Sequence, residues 1–142
     1  MSLQGKFFGI LTNWHVVDGA EYFGICLKPE PTKQVCEERW YEGFVVDQDK
    51  KRDLALMYIV SEGKEKFNLI KLSSIQTIEI GDNSHAIGHP VGATWSYSHG
   101  YISHIRTDYV WKYENSNYKH QATLYQTATN TSPGSSGGPL MD

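Results

Sequence analysis

Three side chains in this sequence are of types that together can cleave an acyl bond: His15, Asp53 and Ser136. A serine hydroxyl of ordinary pKa is a poor nucleophile at neutral pH, so it needs a base within hydrogen-bond reach. An imidazole is suited to that task, and a carboxylate on its other nitrogen fixes the tautomer and stabilises the imidazolium that forms. Ser136 stands in Pro133-Gly134-Ser135-Ser136-Gly137-Gly138-Pro139-Leu140. Small residues there let backbone N–H groups converge on one point and a substrate carbonyl approach the main chain. His15 stands in Leu11-Thr12-Asn13-Trp14-His15-Val16-Val17, and Asp53 opens Asp53-Leu54-Ala55-Leu56. Singly, each has a plain reading: a Gly/Ser turn, a core histidine, a solvated residue at the start of a strand. Together they specify a nucleophile, a base and an orienting acid.

The elements that must position them are strands. Phe7 to Thr12 with Val16-Val17, Tyr22 to Leu27 and Trp40 to Val46 are rich in β-formers. Leu54 to Val60 is a continuous apolar run, expected to be a buried central strand. Phe67 to Leu72 reads as a short half-buried run and Ser73 to Gly81 as a connector. Beyond it, Ser84 to Gly88, Trp95 to Ile105, Val110 to Tyr113 and Ala122 to Gln126 are further strand candidates, separated by Gly, Pro, Asn and Asp. No helical stripe of ten residues or more is present. Short strands at regular spacing predict an all-β protein, a barrel or a sandwich.

The order His–Asp–Ser is that of the chymotrypsin-type barrels, distinct from the orders of subtilisin and the α/β-hydrolases. On this point the chain resembles a trypsin-like serine protease domain of the HtrA/Deg-like branch. Residues 11–17 resemble that branch's "LTNxHVV", residues 53–56 match "DLAL", Ala86-Ile87-Gly88-His89-Pro90-Val91-Gly92 resembles "AIGNPFG", and residues 133–140 resemble "PGNSGGPL". The likeness runs from about Gly9 to Asp142.

That resemblance implies two antiparallel β-barrel halves: residues 1–74 with His15 and Asp53, and residues 75–142 with the nucleophile. It implies a serine endopeptidase acting on polypeptides through an acyl-enzyme, with no metal or organic cofactor. The backbone N–H groups of Gly134, Ser135 and Ser136 form the expected oxyanion hole. Asn130 falls at the base of the primary substrate pocket, and its neutrality speaks against basic side chains there. Two residues depart from the branch. Trp14 replaces a small or polar residue and is expected to reshape nearby subsites; Ser135 replaces Asp or Asn, so activation by insertion of a new N-terminus is not expected. The family's closing strands after the nucleophile are not seen, so the second barrel is expected to be incomplete. Open strand edges then predict an oligomer or strand exchange and weak turnover. The competing reading is a non-catalytic peptide-binding or fragment form of the same fold.

Composition narrows the rest. Thirteen basic against sixteen acidic residues give a net charge of −3, which argues against a general nucleic-acid binder. The longest apolar run is far short of a membrane span. Met1 to Gly5 has neither the charged start nor the apolar run of a signal peptide, so the residues leave the compartment open, while the resemblance implies an extracytoplasmic one. Cys26 and Cys36 flank a turn-rich stretch and are expected to be free thiols rather than a cross-strand disulfide. His85, His89, His99, His104 and His120 read as ordinary polar or core histidines, because Gly88 and Pro90 preclude a helical i, i+4 metal pair. Tyr109, Trp111, Tyr113 and Tyr118 suit either a strand face or a peptide-binding surface.

Overall fold

Alternation at period two resolves into two antiparallel sheets. The computed structural model describes residues 6–26, 40–61, 67–74, 77–92 and 95–142. Eight strands are assigned among them: β1 (Lys6–Thr12), β2 (Tyr22–Cys26), β3 (Trp40–Asp49), β4 (Leu54–Ser61), β5 (Asn83–Gly88), β6 (Ser96–Trp111), β7 (His120–Thr127) and β8 (Leu140–Met141). One four-stranded sheet has the order β1-β4-β3-β2 and the other β7-β6-β5-β8. The expected all-β class of trypsin-like pattern is what the chain adopts. It divides into two compact units: one takes the chain to Asp49 and from Leu54 to Ile70, the other Lys50–Asp53 and Lys71–Asp142. The short turn bearing Asp53 thus groups with the second unit, apart from the strands on either side of it.

In the first unit β4 is central, as expected of its apolar run. Ala55, Met57, Ile59 and Ser61 alternate into the interior. Val17, Ala55 and Met57 form a cluster closed by Ile10, Phe23, Ile25 and Val45. Each large aliphatic side chain buried in this way stabilises the fold by about 1.5–3 kcal/mol. On the other face Tyr58 lies between Phe7 and Phe44, with ring centroids 6.2 Å from each. Cys26 is disulfide-bonded, contrary to the expected free thiols; Cys36 lies outside the described residues. Residues 67–74 form no strand, and Leu69, Ile70 and Leu72 are largely exposed, so the expected half-buried run is not realised. Alternation alone does not make a strand where no partner supplies the ladder.

In the second unit the two runs expected on either side of Arg106 are one sixteen-residue strand, β6. It pairs first with β5 and then with β7. Register steps between Ile102 and His104 and between Arg106 and Tyr109 each place one extra residue on β6. Such bulges bend and twist a long strand, which lets it serve two neighbours. Gly100 marks a close approach, since a Cβ there would meet the backbone of Thr129, with its Cα at 2.7 Å, and the carbonyl carbon of Ala128 at 2.8 Å. Gly100→Ala is therefore expected to cost about 3 kcal/mol, read as a lowered midpoint in urea. An unchanged midpoint would show that residues 128–129 can move away.

Candidate active site

His15 sits on one turn of helix, α1 (Trp14–Val17), where sequence propensity suggested strand. The Val16 N–H donates to the Asn13 carbonyl at 3.2 Å and closes the turn. Residues three apart share a helix face, so Trp14 and Val17 both point into the interior, at 5% and 1% exposure, and His15 is left half-buried between them. Trp14 donates its indole N–H to the Gln48 Oε1 at 3.1 Å. It is a core residue anchoring this turn.

Asp53 ends the four-residue β3–β4 turn in the left-handed region, at φ 58°. Short acidic and amide side chains tolerate that conformation better than most. Its carboxylate is 1% exposed, and the Tyr113 hydroxyl donates to its Oδ2 at 2.9 Å. Two further bonds hold the same turn: Gln121 N–H donates to the Lys51 carbonyl at 2.7 Å, and His120 Nδ1 to the Lys50 carbonyl at 2.7 Å. The fully buried His120 ring is surrounded by Trp111, Tyr118 and Tyr113, at centroid distances of 5.2, 5.3 and 5.4 Å. These aromatics therefore pack on a histidine; Tyr109 instead lies under Arg106, 5.7 Å from its guanidinium carbon.

Ser136 is exposed on a loop made of two consecutive turns. Ser135 N–H donates to the Ser132 carbonyl at 2.9 Å, and Gly138 N–H to the Ser135 carbonyl at 3.0 Å. Pro133 and Gly134 occupy the second and third positions of the first turn, with Gly134 at φ 99°. Proline followed by a positive φ is the type II pattern. Gly137, at φ 81°, fills the third position of the second turn and leaves Ser136 at its corner. The Ser135 N–H is consumed by the first turn, so of the three expected oxyanion donors only Gly134 and Ser136 stay outside the turn bonds. The Ser135 hydroxyl also turns inward, accepting from Ser132 N–H at 3.5 Å.

The loop rests on the segment after β5. Val91 N–H donates to the Pro133 carbonyl at 2.9 Å, His89 N–H to the Gly134 carbonyl at 3.3 Å, and Ile87 N–H to the Pro139 carbonyl at 3.4 Å. A Cβ on Gly134 would collide with the His89 carbonyl oxygen. This support function of residues 87–91 was hidden in the sequence; its only trace was the Gly88-His89-Pro90 motif.

Ser84, Thr127 and Thr129 join hydroxyls. Ser84 and Thr127 are 2.7 Å apart, Thr127 and Thr129 2.7 Å, and Thr129 also donates to the Ser84 carbonyl at 3.2 Å. Asn130, exposed, has its carbonyl held by the Ser98 hydroxyl at 2.8 Å. Thr129→Val keeps the shape but leaves buried hydroxyls short of partners, with an expected loss of about 1–3 kcal/mol in denaturant unfolding. No loss would mean that the trio is dispensable. Among the described residues no group of three or more His, Cys, Asp or Glu side chains is placed to hold a metal ion, and no helix is long and apolar enough to cross a membrane.

The sequence model of the trypsin-like peptidase domain matches residues 4–142, nearly the whole chain. The chain belongs to the trypsin-like peptidase family. Among curated proteins, this trypsin-like peptidase chain is 30% identical over 133 residues to the putative serine protease HhoA of Synechocystis, covering 94% of the chain and 31% of that relative. It is 27% identical over 133 residues to the periplasmic serine endoprotease DegP of Salmonella typhimurium, covering 94% of the chain and 25% of the relative. Of solved structures, the HtrA-type protease AlgW with a decapeptide superimposes with a TM-score of 0.72 at 29% identity, covering all of this chain and 38% of that one. The chain thus spans well under half the length of these relatives.

Proposed function

We propose that this trypsin-like peptidase chain hydrolyses peptide bonds in polypeptides, with Ser136 as nucleophile, His15 as general base and acid, and Asp53 orienting the imidazole. The observation that carries it is the exposure of Ser136 at a turn corner beside two N–H groups, of Gly134 and Ser136, that the turns leave unused. In the proposed reaction a ring nitrogen of His15 takes the hydroxyl proton as Ser136 Oγ bonds to the scissile carbonyl carbon. The carbonyl oxygen becomes an oxyanion at the two N–H groups, where loss of one donor in known enzymes costs roughly 3 kcal/mol. The protonated imidazole then gives its proton to the leaving amine as the C–N bond breaks, and water, deprotonated by the same imidazole, hydrolyses the acyl-enzyme, freeing the carboxylic acid and returning the proton to Ser136 Oγ. The relatives named as serine endoproteases and the peptide-bound AlgW structure support polypeptides as the substrate class.

A fluorophosphonate tests this without knowledge of cleavage preference, because only an activated serine displaces its fluoride. One phosphonyl group per chain, mapped by peptide mass spectrometry to Ser136, is the expected result. A folded chain that takes no label favours the non-catalytic peptide-binding form instead.

A further inference from the structure

We infer that Tyr113 is a positioning residue for the triad acid: its hydroxyl, 2.9 Å from Asp53 Oδ2, sets the orientation of the carboxylate that orients His15. This rests on the serine-protease reading above and extends it to a residue outside the triad. A carboxylate that is 1% exposed must be satisfied by donors, since an ionised acid buried without them is strongly disfavoured. With Oδ2 fastened, rotation about Cβ–Cγ is limited, and the plane in which the other oxygen meets an imidazole is set. The bond is charge-assisted and therefore stronger than one between neutral groups.

The tyrosine is itself held for the task. It follows β6, and its ring stands edge-on to His120, centroids 5.4 Å apart, while His120 Nδ1 and Gln121 N–H grip Lys50 and Lys51 on the Asp53 turn. One cluster thus fixes donor and acceptor together. Burial, then the hydrogen bond to Asp53, push the Tyr113 pKa above its ordinary 10.0, against a lowering by Trp111, and the charge of Asp53 adds a smaller rise. The hydroxyl therefore remains a proton donor throughout the range in which an imidazole base works.

The test is the fluorophosphonate labelling rate of the wild-type chain, Tyr113→Phe, Asp53→Asn and the double variant. Tyr113→Phe keeps the ring against His120 and removes only the hydroxyl. It is expected to lower the saturating rate of labelling about tenfold, with the half-saturating probe concentration unchanged. In the Asp53→Asn background the same change is expected to add little, because Tyr113 acts through Asp53. Melting curves and a Tyr109→Phe control separate this from a structural role, which would lower the melting temperature without changing the rate in the folded range. A labelled wild type with an unaffected Tyr113→Phe, or an undiminished effect in the Asp53→Asn background, overturns the inference alone. A wild type that takes no label overturns the serine-protease reading and the inference with it.

Discussion

Ser136→Ala is expected to abolish covalent capture of a fluorophosphonate and to lower peptide hydrolysis by about a millionfold. The size follows from the division of labour in the site. Removing the hydroxyl removes the covalent route entirely, yet the two N–H groups of Gly134 and Ser136 and the substrate contacts persist. An acceleration over water of about 10³–10⁴ from those groups is therefore expected to survive. Ser136 is exposed at a turn corner, and Cβ is common to both residues, so the variant should melt at the wild-type temperature. Labelling that persists in Ser136→Ala, on Ser135 for instance, would move the nucleophile and dissolve the assignment of roles.

The second large effect is expected at Asp53. Asp53→Asn should slow labelling by about 10⁴-fold, because an amide presents N–H where the imidazole must donate and so favours the wrong tautomer. The substitution is chosen for the backbone. At φ 58° asparagine is among the few residues accepted without strain, so the turn should persist. A β-branched residue would confound the measurement by straining the same turn. Asp53→Asn labelling at the wild-type rate, with an unchanged melting temperature, would remove the acid from the proposed mechanism and leave it a purely structural buried group.

What could be read in advance divides along a physical line. The family is legible because residues 11–17, 53–56, 86–92 and 133–140 each resemble a stretch of the trypsin-like pattern, and the family model matches residues 4–142. Strand positions are legible where β-formers run on for five residues or more, as in the continuous apolar run of β4. The turn of helix under His15 was not. Four residues are too few to leave a 3.6-residue stripe, and Val16-Val17 carry β propensity that the packing of Trp14 and Val17 overrides. The single strand β6 was split in two because its bulges interrupt the alternation that signals a strand. Phe67 and Leu69 stand two apart, as on one face of a strand, yet residues 67–74 form no strand. The Tyr113 hydroxyl on Asp53 joins positions sixty residues apart, and only the topology brings them together. Likewise the disulfide at Cys26 is not settled by spacing in the sequence.

The clasp of Ser84, Thr127 and Thr129 has a consequence for how acidity acts on this protein. Alcohols neither gain nor lose charge over any range a cell meets, and the neighbouring braces from Ile87, His89 and Val91 are amide protons with the same indifference. The clasp and the braces of the nucleophile loop are thus built from parts blind to protons. Loosening of these particular bonds is therefore not expected to contribute to any pH dependence that the rate shows.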